Sequence, residues 1–204
     1  MNGMLRVMRY ILWMLLGIGA ALVLFVCLLP WRKRRMGDRG LTSGTGRELV
    51  LLVLFLFSGG MAVLTLCPEP GWLWSGLRYG YWTPFFGDQA FPLAHRVNLI
   101  PFSQGDSLFN IAGNVVMFLP FGFLAALLFR GWTWKRALAL GLAVTAGIEC
   151  WQIAVGRFFD IDDIILNAFG VLCGYWLRLG LQRLAPGFTE RFRCGAVQSE
   201  DEHG

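Results

Sequence analysis

Carboxylate, amide and guanidinium side chains recur inside or at the ends of membrane-length apolar segments in this chain of 204 residues. Ten of them form the candidate binding site: Arg96, Asn98, Asn110, Asn114, Glu149, Gln152, Arg157, Asp160, Asp163 and Asn167. A polar group in hydrocarbon is costly unless it is paired, so an ionisable residue within a spanning segment is a candidate functional residue. We therefore predict that these residues line a binding site at membrane level.

The spacing of these residues places several of them on shared helix faces and at a similar depth. Asn110 and Asn114 are four residues apart, so they lie on one face of a helix. Gln152 follows Glu149 by three residues and shares its face in the same way. Counting 1.5 Å per residue puts Asn114 about 7 Å and Glu149 about 10 Å below the same end of the helices. Separate segments thus bring polar groups to one side of the membrane.

Three kinds of function are compatible with this polar set. The first is non-enzymatic binding, which we favour. The second is catalysis with Glu149 as the candidate acid or base, and with Asp160, Asp162 and Asp163 as candidate ligands of a divalent cation, because hard cations prefer carboxylate oxygens. The third is structural: each group forms an interhelical hydrogen bond worth less than about 1–2 kcal/mol, and Asp163 is a candidate N-cap. No catalytic residue is assigned, since no activated nucleophile accompanies the carboxylates. No metal or cofactor is assigned either.

The elements that must position these side chains are spanning helices. The composition is 56% hydrophobic and 15% charged, with a mean hydropathy of +0.56, outside the range of soluble globular domains. Apolar runs of spanning length are Tyr10–Trp31, Leu49–Pro68, Ser107–Phe129, Ala137–Gly156 and Ile164–Leu181. A spanning helix needs about 20 apolar residues. We predict an all-α, polytopic membrane helical bundle with five transmembrane helices, the first of them retained because it is longer than the core of a signal peptide.

The distribution of basic residues predicts the orientation of the bundle. Thirteen Lys and Arg residues fall in segments 30–48, 130–136 and 178–204, against five in the remaining segments. Cytoplasmic loops carry the excess of Lys and Arg, so the N-terminus is predicted outside and the C-terminus inside. The net charge of +5 is then a signal of topology, and no nucleic acid partner is predicted. Five cysteines without a CxxC pair and two separate histidines indicate neither a disulfide framework nor a zinc site.

The chain divides into three regions. Residues 1–48 are predicted to form an additional transmembrane helix with an Arg-rich cytoplasmic linker, Trp31–Arg47, that is mobile. Residues 49–181 form the four-helix membrane domain, and residues 182–204 form a polar, disordered cytoplasmic tail. The longest segment between spans, Pro68–Gly105, is rich in Trp and Tyr, which prefer the headgroup level.

Four sequence blocks resemble the VanZ-like family of small integral membrane proteins. They are RVNLIPF at Arg96–Phe102, NIAGNVVMFLPFGF at Asn110–Phe123, IECWQ at Ile148–Gln152 and GRFFDIDDIILNAFGVLCGY at Gly156–Tyr175. The recurrent polar positions of that family fall on the ten candidates except Arg96. The resemblance implies a multi-pass protein of the bacterial cell membrane and an association with resistance to teicoplanin-type glycopeptides in Gram-positive bacteria.

These observations together lead to one expected function and one alternative. We expect an outward-facing polar pocket that engages a lipidated glycopeptide antibiotic or a lipid-linked cell-wall precursor. The alternative is an enzyme acting on a polyprenyl-phosphate or glycolipid headgroup through Glu149 and the Asp160–Asp163 cluster. Membrane lipid and an amphiphilic or lipid-linked glycan are the expected partners, and the oligomeric state is left open.

Overall fold

The computed structural model describes residues 2–66, 96–103, 108–155 and 157–196. Helices long and apolar enough to cross a membrane are Tyr10–Gly37, Thr45–Leu66, Asn110–Leu128, Trp134–Ala154 and Ile161–Leu184. The prediction of an all-α membrane bundle with five spanning helices is therefore confirmed. Its orientation in the membrane stays a prediction. Most of the Trp- and Tyr-rich segment, residues 67–95 and 104–107, lies outside the described residues.

The helices are joined by short strands at the two ends of the bundle. In chain order the elements are α1 (Asn2–Gly37), β1 (Leu41–Thr42), α2 (Thr45–Leu66), β2 (Val97–Asn98), α3 (Leu108–Leu128), α4 (Trp134–Ala154), β3 (Phe159–Asp160), α5 (Ile161–Leu184), α6 (Pro186–Glu190) and β4 (Gly195–Ala196). β1 pairs with β4 in antiparallel fashion beside the start of α2. β2 pairs with β3 in parallel beside the start of α5.

Helices α3 and α5 pack at near-backbone contact because glycines lie in their interface. A Cβ atom at Gly122 would lie 2.0 Å from the carbonyl oxygen of Val171. A Cβ atom at Gly174 would lie 2.1 Å from the carbonyl oxygen of Leu119. Small residues allow helices in membranes to approach closely, where association depends on van der Waals packing. The α3–α5 pair thus forms the centre of the bundle.

We expect the Gly174→Ala substitution to lower the free energy of unfolding by about 1–3 kcal/mol, since an added methyl group in a packed interface forces the backbone apart. Gly180→Ala in the same helix is the matched control, because a Cβ atom there would meet nothing within 4 Å. Reversible unfolding in mixed detergent micelles measures both variants. Equal stability of the two would contradict the close contact between α3 and α5.

The N-terminal helix is packed on the rest of the chain. A Cβ atom at Gly17 of α1 would lie 2.4 Å from the carbonyl oxygen of Gly59 in α2. Further along these helices a core cluster joins α1, α2 and α3 through Phe25, Val50, Leu51, Leu127 and Leu128. α4 packs on α5 where Gly141 faces Ala168. Helix α1 therefore packs as part of the bundle, against α2 and α3.

The predicted mobile linker Trp31–Arg47 is wrong for most of its length. Helix α1 continues through the Arg-rich stretch to Gly37, and α2 begins at Thr45. Arg and Lys are strong helix formers, so the charges that end the apolar run do not end the helix. Arg32 is also paired with Glu48 of α2. The chain reverses at Gly40, whose φ of 63° lies in the left-handed region that glycine adopts without strain.

The predicted disordered tail, residues 182–204, is wrong for residues 182–196. Helix α5 runs to Leu184, and Pro186 begins α6 at a position that proline favours. Thr189 of α6 is buried, and its hydroxyl donates to the carbonyl oxygen of Pro186 at 3.0 Å. β4 then pairs with β1, so this segment is folded against the end of the bundle.

Candidate functional site

Most of the predicted site residues lie at one end of the bundle, where α2 and α4 end and α5 begins. Strand pairing places Asn98 of β2 directly opposite Asp160 of β3 at this end. We call this group of side chains the polar rim, and it consists of Arg96, Asn98, Asn114, Glu149, Gln152, Arg157, Asp160, Asp162 and Asp163. The bundle thus gathers polar groups from α3, α4, α5 and the β2–β3 pair.

Glu149 is the buried centre of the polar rim. Its side chain is 1% exposed, and Oε2 accepts a hydrogen bond from the backbone N–H of Asp160 at 3.0 Å. Asp160 Oδ1 in turn accepts from Nδ2 of Asn98 at 3.1 Å. Arg157 and Asp163 also lie close enough to act on Glu149 electrostatically. A chain of polar contacts therefore links α4, the start of α5 and strand β2, which carries Asn98.

The N-cap of α5 is Asp160 and not Asp163, the candidate named from the sequence. Asp160 has extended backbone angles, φ −128° and ψ 124°, and its side chain accepts from the backbone N–H of Asp162 at 3.0 Å. An N-cap residue needs such β-region angles, and β3 imposes them on Asp160. Asp163 lies in the first turn instead, where Oδ1 accepts from Nδ2 of Asn114 at 2.5 Å. This bond connects α5 to α3.

Asp162 anchors the loop that follows β2. It is 1% exposed, and its two carboxylate oxygens lie 2.9 and 3.0 Å from the backbone nitrogen of Phe102, which donates to them. The three aspartates that were candidate cation ligands thus bind protein groups in different directions. Among the described residues, no group of three or more His, Cys, Asp and Glu side chains could hold a metal ion.

A second set of polar contacts closes the end of α2. The carbonyl oxygen of Thr65 accepts from Gln152 Nε2 and from Arg157 Nη1, each at 3.2 Å. The carbonyl oxygen of Leu66 accepts from Trp151 Nε1 at 2.7 Å. Carbonyl groups in the last turn of a helix lack intrahelical partners, so these donors satisfy α2 where it ends. Gln152 and Arg157 therefore have a structural task as well as a place in the rim.

The remaining candidates lie around this cluster. Arg96 is buried and donates from Nη1 to the carbonyl oxygen of Ile153 at 3.3 Å. Asn110 is exposed in the first turn of α3, one turn before Asn114. Asn167 lies deeper in α5, one turn below Asp163, and is 5% exposed. The structure thus places Asn110 at the edge of the rim and Asn167 beneath it.

Two buried oxygens beneath the rim have no hydrogen-bond partner among the described residues. They are Oδ1 of Asn167 and Oγ1 of Thr145, whose side chain is fully buried. Thr145 lies one turn from Glu149 on the same face of α4. Buried polar atoms usually have a protein or water partner. Hydrogen-bonding capacity therefore extends about 6 Å below Glu149 at 1.5 Å per residue.

The charge balance of the polar rim favours some ligand chemistries over others. It holds four carboxylates against the two guanidinium groups of Arg96 and Arg157. Carboxylate oxygens accept hydrogen bonds, so the rim suits hydroxyl, amide or ammonium donors. Hydroxyl and amide groups of a glycan or peptide headgroup are donors of this kind.

The structure adds residues that the sequence did not identify. Phe102, Thr65 and Leu66 bind the rim through backbone atoms, and a backbone N–H or C=O is the same in every sequence. The contact of Trp151 could have been expected from the sequence, because an indole N–H near a helix end needs an acceptor.

Comparisons with known proteins agree with the four sequence blocks. The model of the VanZ/LLP1 family matches residues 49–182. Protein VanZ from Enterococcus faecium is 35% identical over 80 residues, which cover 38% of this chain and 49% of that protein. The match thus spans about half the length of this curated relative. No solved structure matches the chain.

Proposed function

This chain belongs to the VanZ/LLP1 family, and from that premise we propose that its polar rim binds the headgroup of an amphiphile at the outer surface of the bacterial cell membrane. The ligand is a lipidated glycopeptide antibiotic or a lipid-linked cell-wall precursor. The five spanning helices make the chain a multi-pass membrane protein. Binding at its rim would therefore take place within reach of lipid-anchored molecules.

One observation carries this proposal: a buried carboxylate, Glu149, lies at the centre of a polar rim that closes one end of the bundle. Interhelical hydrogen bonds alone would not require four carboxylates and two guanidinium groups at the same end. The excess of acceptors supports a ligand that donates hydrogen bonds. Teicoplanin-type glycopeptides combine such groups with an acyl chain, which agrees with the family resemblance.

We expect a sensitive Gram-positive host that produces this chain to tolerate teicoplanin several-fold better than the same host with empty vector. The Glu149→Gln variant should lose this gain at equal membrane abundance, because the neutral amide cannot attract a cationic or donor group as a carboxylate does. Vancomycin, tested in parallel, lacks the acyl chain and should show a smaller effect. No change in any arm would separate this chain from glycopeptide tolerance.

Direct binding tests the rim itself. The purified chain in lipid nanodiscs should bind a lipidated glycopeptide, and Glu149→Gln with Asn114→Leu should weaken that binding at least about tenfold, since each lost hydrogen bond contributes about 1 kcal/mol. Phe169→Leu, a change on the exposed face of α5, is the matched control. Undiminished binding by the double variant would contradict the proposal.

Turnover of a lipid substrate distinguishes the enzymatic alternative from the binding proposal. An enzyme acting on a polyprenyl-phosphate would turn over that lipid with Mg²⁺ and stop when a chelator is added. A binding protein should leave such lipids unchanged under both conditions. A purely structural role for Glu149 would instead leave the activity of the Glu149→Gln variant at the native level at matched abundance, because glutamine keeps an acceptor for the backbone N–H of Asp160.

A further inference from the structure

The loop after β2 exposes a run of large apolar side chains beside the polar rim. Leu99 is 64% exposed, Ile100 69% and Phe102 58%. Phe158, which precedes the paired strand β3, is 62% exposed. We call residues 99–102 the apolar lip. Exposed apolar clusters of this kind mark surfaces that contact a membrane, a ligand or another protein.

The backbone of the apolar lip is held in place by the rim. The side-chain oxygen of Asn98 accepts from the backbone nitrogen of Ile100 at 3.2 Å and from the hydroxyl of Ser103 at 3.1 Å. The other end is held by Asp162, which accepts from the backbone nitrogen of Phe102. The backbone of the apolar lip is therefore held in one conformation by polar side chains of the rim at both of its ends.

Phe102 has an unfavourable backbone conformation within this shape. Its φ of 55° lies in the left-handed region, which large side chains rarely occupy. Backbone strain of this kind persists only where the surroundings impose it, and it is concentrated at functional positions. Here the two oxygens of Asp162 hold the N–H group of Phe102, and the side chain points away from the protein at 58% exposure.

The position of the lip identifies the phase that it contacts. Asp162 belongs to the first turn of α5, and the span of α3 begins at Asn110, so the lip lies at the level where spanning helices reach the membrane boundary. The exposed face of α5 continues from this level with Ile165 and Phe169. Leu, Ile and Phe side chains favour hydrocarbon, whereas Trp and Tyr favour the headgroup level.

We propose that the apolar lip inserts into the acyl-chain boundary of the adjacent leaflet, so that the polar rim opens toward lipid and not only toward water. The partner is the lipid hydrocarbon itself. This interaction does not depend on the proposed glycopeptide ligand. If the rim binds an amphiphile, however, the lip gives that molecule a lateral route from the bilayer, in which its tail stays in hydrocarbon while its headgroup meets the rim.

Site-directed spin labelling in liposomes tests the lip directly. Single cysteines replace Leu99, Ile100 and Phe102 in a background without the native cysteines, and each carries a nitroxide. Phe169→Cys, on the exposed face of α5, is the lipid control, and Arg39→Cys, exposed in the turn after α1, is the water control. Collision rates are measured with oxygen, which concentrates in hydrocarbon, and with a water-soluble nickel chelate.

We expect the lip positions to follow Phe169→Cys, with nickel accessibility several-fold below that of Arg39→Cys and high oxygen accessibility. Accessibility to nickel equal to that of Arg39→Cys would overturn the proposal, and low accessibility to both reagents would overturn it by assigning the lip to a protein partner. Asn98→Ala should increase the mobility of the spin label at position 100, because the anchor of the Ile100 backbone is lost. An unchanged spectrum would contradict the anchoring of the lip by the rim.

Discussion

The Asp160→Ala substitution is expected to lower the free energy of unfolding by about 2–4 kcal/mol, since it removes a helix cap and a hydrogen bond to a charged acceptor together. Asp160 Oδ1 accepts from the backbone nitrogen of Asp162 and from Nδ2 of Asn98. Alanine can replace neither interaction. The start of α5 and strand β2 should loosen together, which reversible unfolding in mixed micelles will measure.

Asp160→Asn is the matched control for this prediction. Asparagine is as good an N-cap as aspartate, and its side-chain oxygen can still accept from Asn98. We therefore expect Asp160→Asn to retain most of the stability that Asp160→Ala loses. Equal losses in both variants would show that the charge of Asp160, and not its hydrogen bonds, stabilises the rim.

The Glu149→Leu substitution is expected to have an effect of similar size, about 2–4 kcal/mol, because an unsatisfied backbone group in an apolar environment costs several kcal/mol. Leucine fills a similar volume, but it leaves the backbone N–H of Asp160 without the acceptor that Glu149 Oε2 provides. Folded abundance in the membrane and resistance to thermal aggregation in detergent will both measure the loss.

Glu149→Gln separates the structural task of this residue from its proposed binding task. The amide oxygen of glutamine can accept from Asp160, so the variant should remain folded while it loses the negative charge. We expect near-native stability together with lost glycopeptide tolerance. If Glu149→Gln is as unstable as Glu149→Leu, the carboxylate charge itself is required for folding.

The spanning helices and the polar end of the bundle could be predicted because their signals are local. An apolar run of about 20 residues has few alternatives to a spanning helix. Asn114 and Asp163 both lie near the starts of their helices, and the structure joins them by a hydrogen bond. Glu149 of α4 is likewise buried.

The features that could not be predicted depend on contacts between distant parts of the chain. The N-cap of α5 is Asp160 because β3 pairs with β2 and sets its backbone angles. The C-terminal segment up to residue 196 is folded because β4 pairs with β1. The contact of Asp162 with Phe102 uses a backbone N–H, which no residue type announces. Any of the three neighbouring aspartates could cap α5 by local sequence alone, and the polar C-terminal segment could be folded or disordered. Tertiary contacts decide the outcome in each case.

The β1–β4 pair has a consequence for the order in which the protein is made. Helices α1 and α2 are consecutive, so they can associate in the membrane as soon as both have been inserted. β1 lies between them, but its partner, Gly195–Ala196, is synthesised only after α5. Contacts of such large sequence separation form late. The edge of β1 therefore stays unpaired until Gly195–Ala196 has been synthesised, after α5.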